Sequence, residues 1–478
     1  MIPDLKPYPA MKESSVPWLG RVPKHWETRR AKYSLREADE RSVSGQEELL
    51  SVSHITGVTS RREKNVTMFL AASNVGHKLC RPGDIVINTM WAWMAALGVS
   101  GRVGLVSPSY GVYRQRPRSR LVPGYVDRLL RTEAYRAEYV RRSTGINSSR
   151  LRLYPEQFLS LPMIQPPEAE QVAIVRFLDH ADRRIRRFIV AKKKLIALLN
   201  EEKQAIIHHA VTRGLDPNVR LKPSGIEWLG DVPAHWAVVP TKRACSLLRD
   251  GTHLPPPRQA SGFPLLSVRN IVGDRFARRL DDSHISEDHF NELCRSFLPR
   301  ANDVLLAVVG ATLGKVATIP EMEPFQIQRS LALLRPRPDL LDFRFLAAFL
   351  RGPAFQRALW ETVAFSAQPG IYLNTLGAFC VPVPPLSEQH RIVARLEGET
   401  AHMSSAIVDV ERELCLVGEY RTRLIADVVT GKLDVREAAA RLPDGAPEPE
   451  PLEDSDDIAG AVDEAESAHD DTEGETDA

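Results

Sequence analysis

The segment from Pro166 to Asp216 returns without a gap 218 residues later as Pro384 to Asp434. A duplication of this length requires a fold built twice on one plan. The copies open on PPEAEQVAIVRFL (Pro166 to Leu178) and PPLSEQHRIVARL (Pro384 to Leu396), identical at seven of thirteen positions, and close on VTRGLD and VTGKLD. Between these ends, apolar residues recur every third and fourth position. In the first copy they include Leu178, Ile185, Ile189, Ile196, Leu199 and Ile206, and in the second Leu396, Met403, Ile407, Leu414, Val417 and Leu424. A seam of this kind held over about five heptads predicts a coiled coil. Each helix of about 45 residues would be about 65 to 70 Å long, which makes it a spacer. Asp182 matches Thr400 and Lys203 matches Arg421 at equivalent seam positions, where polar residues specify register.

A second repeated mark precedes each spacer. WLGRVPKHW (Trp18 to Trp26) and WLGDVPAHW (Trp228 to Trp236) agree at seven of nine positions. Gly and Pro at fixed places define a turn, and the Trp and His read as packing rather than as ligands. Between the marks each copy reads as mixed α and β. The β-like runs are Glu48 to Val58 and Ile85 to Met90 in the first copy, with Pro264 to Val272 and Val304 to Val309 in the second. Helical stretches follow over Tyr125 to Arg142 and Phe343 to Trp360, then a loop and strand, Gly145 to Pro167 and Gly370 to Pro385. The Pro pairs end the strand, and Glu and Gln open the spacer.

Charge narrows the class of partner. From Arg441 to Ala478 there are fifteen acidic residues and one Arg, so with the whole chain at +2 the first 440 residues carry +16. A basic body points to a polyanion, and an acidic tail poor in large apolar residues is expected to be disordered. Cys80, Cys245, Cys294, Cys380 and Cys415 form no C-x-x-C pair, which argues against a disulfide scaffold or a zinc site. The N-terminal residues include no apolar run and no segment reaches 18 apolar residues, so a cytoplasmic location is expected.

The repeated P-P-x-x-E-Q and W-L-G-x-V-P-x-H-W strings, with Asp250-Gly-Thr-His253, Gly310-Ala-Thr-Leu-Gly-Lys315 and VTGKLD, resemble the DNA-specificity subunit of type I restriction-modification systems over about residues 14 to 436. The resemblance implies an α+β fold, with two α/β target-recognition domains separated by two long antiparallel coiled-coil helices in a pseudo-twofold internal repeat. The corresponding domains are 1–165 and 217–383, the helices 166–216 and 384–436, and 437–478 is the tail. It further implies a subunit without catalysis of its own that reads a bipartite, gapped target in double-stranded DNA. Its partners would be two methyltransferase subunits using S-adenosylmethionine and restriction subunits using ATP and Mg2+, with no cofactor on this chain.

The residues agree by what they lack. No N-P-P-Y or D-P-P-Y box or cofactor loop is present, and Gly310 to Lys315 has three residues between its glycines where a phosphate-binding loop needs four, with Val316 in place of Ser or Thr. It reads as a tight turn. Candidate DNA-binding residues are Trp91, Arg102, Tyr110, Tyr113, Ser148, Ser149 and Arg150 in the first copy. In the second they are Thr252, His253, Arg269, Asn270, Thr312, Lys315, Arg329, Ser330 and Gln368. Arg, Lys, Asn and Gln pair with base edges, while Ser, Thr and further Arg hold phosphates. Trp93, Arg114, Arg116, Arg258 and Gln328 belong to the same loops. Two other readings are a solitary recognition subunit serving a stand-alone methyltransferase and a fused methylating enzyme; the missing boxes count against the second.

Overall fold

The computed structural model describes residues 5–63, 73–145, 151–363 and 369–443. Its contacts divide into two compact units. One comprises Met1–Val190 with Leu414–Ala478, the other Ala191–Glu413. The two longest helices, Glu168–Arg213 and Leu386–Val429, each contribute to both units.

All twelve seam residues are buried or half-buried, whereas Arg184, Arg187, Lys194 and Leu198 on the other faces of the first long helix are exposed. In the first unit Phe177, Leu178 and Ala181 share a core with Leu424, Val428 and Val429. In the second, Ile207, Ala210 and Val211 share a core with Ile392, Val393 and Leu396, and Lys192 meets Glu413 at 2.7 Å. Later residues of one helix meet earlier residues of the other, so the pair is antiparallel within the second unit. Asp182 and Arg421 form an ion pair across the first unit's seam. The matched polar residues in the second unit are Thr400 and Lys203. Threonine supplies no charge, so its hydroxyl bonds Leu396 O at 2.7 Å while the ammonium turns to Asp274 at 3.5 Å.

Each unit carries a sheet of the same connectivity. In the first the order is Leu35–Glu37, Gly111–Gln115, Ile85–Ile87, Leu97–Val99. In the second it is Cys245–Asp250, Leu331–Pro336, Val304–Ala307, Val316–Thr318, extended by two short strands at Arg275–Phe276 and Ile271–Val272. A strand after each opening motif pairs with the strand before each long helix, Glu27–Arg30 with Pro162–Gln165 and Ala237–Pro240 with Cys380–Val383.

Four expected elements are divided. The run from Glu48 to Val58 belongs to a hairpin of Leu50–Ser53 and Gly57–Ser60, because Gly57 at φ +69° permits a turn. The run from Pro264 to Val272 is broken after Leu266 by a capping box between Ser267 and Asn270. The helical stretch 125–142 splits into Pro123–Leu130 and Glu133–Arg142, and that at 343–360 into Phe343–Arg351 and Pro353–Thr362. Pro353 explains the second break, since a proline is accommodated only in the first turn of a helix.

Candidate nucleic-acid interface

The two repeated motifs find each other. His25 Nε2 lies 2.7 Å from Glu170 Oε2, and Trp26 Nε1 donates to Glu170 Oε1 at 3.0 Å. The Tyr8 hydroxyl donates to the same oxygen, and burial first, then Glu170, pushes the phenol pKa well up and keeps it protonated. In the second unit His235 Nε2 lies 2.8 Å from Glu388 Oε2. The glutamines beside these acids act alike. Gln171 Nε2 donates to Pro166 O and its Oε1 accepts from Val122 N, while Gln389 does the same with Pro384 O and Asp342 N, all four bonds at 2.8 Å. The VTGKLD end closes the first clasp. Gly431 has φ +78°, and a Cβ there would lie 2.4 Å from Pro23 and 2.8 Å from Trp26. Gly214 similarly faces Trp236 and Pro233 in the second unit. Sequence reading identified the strings separately; their reciprocity involves residues far apart in the chain and carries no local signal.

Above this base, one end of the second unit's sheet gathers four loops. Thr252 N donates to Ile327 O at 3.0 Å and Arg329 N to Thr252 O at 3.1 Å, joining the 250–253 and 328–330 loops. Val308 N donates to Ser330 O at 2.9 Å, and Ile371 N to Val308 O at 2.9 Å, adding the 308–315 and 369–371 segments. Gly251 is required there because a Cβ would lie 2.2 Å from Ile327 O. Asp250 Oδ2 holds His253 Nε2 at 2.6 Å, so Asp250-Gly-Thr-His253 is a positioned loop. Gly310 and Gly314, at φ +80° and +89°, make the 310–315 segment a tight turn. Thr312 is half-buried in that turn; Lys315 and Arg329 are exposed and have no carboxylate partner among the described residues. Ser330 is half-buried and its hydroxyl has no hydrogen-bond partner among the described residues.

The corresponding end of the first unit's sheet carries the 88–96 loop. Asn88 N donates to Ala96 O at 3.0 Å, and Leu153 N donates to Thr89 O at 3.0 Å, the counterpart of Ile371 on Val308. Trp91 is 45% exposed and stacks on Trp93 with centroids 6.4 Å apart. Arg152, not singled out from sequence, reaches Met90 Sδ at 3.8 Å beside it. Tyr110 is half-buried against a small core, and burial pushes its phenol pKa up.

Other candidates lie elsewhere or are already committed. Tyr113 is a core residue: it is 1% exposed and its ring packs on Phe158 at 4.4 Å, because it lies on the inner face of its strand. Asn270 is also structural, 1% exposed, with its amide spent on Ala277 O and Asp282. Arg102 follows Leu97–Val99 and so lies at the opposite end of the sheet from Trp91, facing Glu48 at 3.5 Å. Arg269 pairs with Asp281 at 3.2 Å. Arg114 holds buried Asp84 at 2.7 Å, and Arg116 donates to Lys32 O and Leu35 O. Arg258 is exposed and Gln328 half-buried, and both line a polar pocket with Arg269. Ser148, Ser149, Arg150 and Gln368 lie outside the described residues.

Exposed cations, paired aromatics and hydroxyls on a rigid sheet end can hydrogen-bond base edges and phosphates. Comparison with known proteins supplies the class. Residues 272–401 match the family model described as "Type I restriction modification DNA specificity domain". The chain is 23% identical to the EcoBI specificity subunit of Escherichia coli over 376 residues, covering 74% of each, and 23% identical to the EcoKI specificity subunit of strain K12 over 363 residues, covering 74% of this chain and 75% of the relative. The chain is thus similar to type I restriction specificity subunits over most of its length. A chain from a solved type I restriction-modification system has the same fold, with TM-score 0.60 at 18% identity, covering 86% of this chain and 99% of the other. The matched domain is described as a DNA specificity domain, and both relatives are named as specificity subunits of restriction enzymes. Among the described residues no helix is long and apolar enough to cross a membrane, and no group of three or more His, Cys, Asp or Glu could hold a metal ion.

Proposed function

We propose that this specificity subunit reads a bipartite, gapped DNA target, one half-site by each sheet-end loop cluster, and that its paired long helices set the gap. The observation that carries the reading is the twofold use of one design: the same sheet connectivity, the same loop positions and the same His–Glu clasp occur in each unit, around loops of different sequence. Segment 88–96 presents Trp91 and Trp93 where segment 308–315 presents Thr312 and Lys315, so the half-sites differ. The recognition domains are 1–165 and 217–383, with 166–216 and 384–436 as the helical spacers.

The long helices also serve as the scaffold for partner subunits. Leu195 and Leu198 of the first, and Val408 of the second, all in the Ala191–Glu413 unit, are 40 to 61% exposed, apolar side chains that suit a protein partner. In this reading two methyltransferase subunits bring S-adenosylmethionine, restriction subunits bring ATP and Mg2+, and the complex acts in the cytoplasm. Exchange of residues 217–383 for the segment of another family member, followed by methylation mapping of host DNA, tests it. One half-site changes and the other stays. Retention of the whole motif, or a continuous palindrome, contradicts the reading.

A further inference from the structure

On the first long helix lies a groove of about 410 Å³. Its floor is apolar, with Val122, Val172 and Val175, and its wall carries Arg183, Arg184 and Arg187. Arg183 and Arg187 have no carboxylate partner among the described residues, and the one carboxylate in the lining, Asp179, is taken by Arg128 at 2.5 Å. The Arg183 and Arg187 guanidinium groups beside an apolar floor form a receptor for an acidic segment with interspersed apolar residues.

The last described residues of the chain line this groove. Leu442 and Pro443 are part of its lining, and Arg176 Nη2 donates to Leu442 O at 2.6 Å and to Pro443 O at 3.2 Å. From there residues 444–478 add fifteen Asp and Glu and no Lys or Arg. The first stretch has the matching composition: Pro447, Pro449, Pro451 and Leu452 alternate with Glu448, Glu450, Glu453 and Asp454. Reach is sufficient. Arg187 lies 11 residues beyond Arg176, about 16 Å along the helix, a span that an extended chain covers in about five residues.

We propose that the acidic segment after Pro443 docks back on the arginine face of the first long helix, its prolines on the valine floor and its carboxylates on Arg183 and Arg187. Tethering at Pro443 raises its effective concentration to a level that a free acidic peptide does not reach. The contact is electrostatic and half-exposed, so salt weakens it.

The test is zero-length carbodiimide cross-linking of the full-length protein carrying Arg187→Lys, which keeps the charge and adds a reactive amine. Mass spectrometry of the monomeric band should find links from position 187 to carboxylates between Glu448 and Asp457. Their yield should be independent of protein concentration and fall several-fold at about 0.5 M salt, where the screening length drops below about 5 Å. The Lys192–Glu413 ion pair at 2.7 Å provides an internal control for a folded helix pair. Formation of the control link without any tail link, in this variant and in Arg183→Lys, overturns the proposal. So do tail links confined to the dimeric band, which place the tail on a second copy.

Discussion

The two clasps use the same His–Glu pair but differ in how many donors converge on the acid, and that difference is measurable at single residues. Glu170 is nearly buried and receives Tyr8, His25 and Trp26, whereas among the described residues Glu388 has His235 alone and the buried Trp236 indole Nε1 has no hydrogen-bond partner. Hydrogen bonds to a charged group contribute roughly 1.5 to 3 kcal/mol each. Glu170→Ala should therefore destabilise by on the order of 3 kcal/mol or more, and Glu388→Ala by on the order of 1 kcal/mol. Urea unfolding of the two variants measures both, and equal losses would contradict the accounting. A second residue-scale expectation concerns acid. Hydrogen bonds from Arg81 foremost, and from Arg114, hold the Glu40 carboxyl down to about 2 from an ordinary 4.5. The folded value lies below the unfolded one, so the contribution is complete above about pH 4.5 and disappears as pH falls through 2. The side chain is one-third exposed, so the effect stays below about 1 kcal/mol. The stability gap between the parent and Glu40→Gln should narrow from pH 5 to pH 3, and a constant gap counts against the assignment.

At the scale of elements, the 3.5-residue repeat was legible because a seam buried along one side leaves a regular trace, and the long helices follow it from Glu168 and Leu386. Loop residues left no such trace. Tyr113 and Asn270 have the chemistry of DNA-contacting residues, yet a strand's inner face buries one and a capping box consumes the other. Gly251 and Gly431 were visible as motif letters, but their reason is the approach of chain from distant positions. The proposed ruler makes a prediction at this scale. One heptad inserted near Ile196 and a second at Leu414 keep both seams in phase and add about 10 Å. The unspecified gap should grow by roughly three base pairs at about 3.4 Å each. Methylation mapping of a folded, active variant with an unchanged gap would exclude the helices as ruler.

For the whole molecule, a body at +16 implies DNA affinity that falls steeply with salt, by about 0.9 in log–log slope per neutralised phosphate. If Lys315 or Arg329 touches phosphate alone, its replacement by Ala should reduce that slope by about one and weaken all sequences alike. A base contact should instead cost roughly 1 to 3 kcal/mol and relax one position of the motif. Titrations at three salt concentrations on cognate and altered duplexes separate the two. The division of the chain has a further bearing on biosynthesis. The Ala191–Glu413 unit is one continuous stretch, but the other needs Leu414 onward, with Asp434 N bonded to Lys6 O and Gly431 seated on Trp26. On the ribosome, the half that emerges first is therefore the half that matures last, and its amino-terminal strands wait for the final turns of the second long helix before their core can shut.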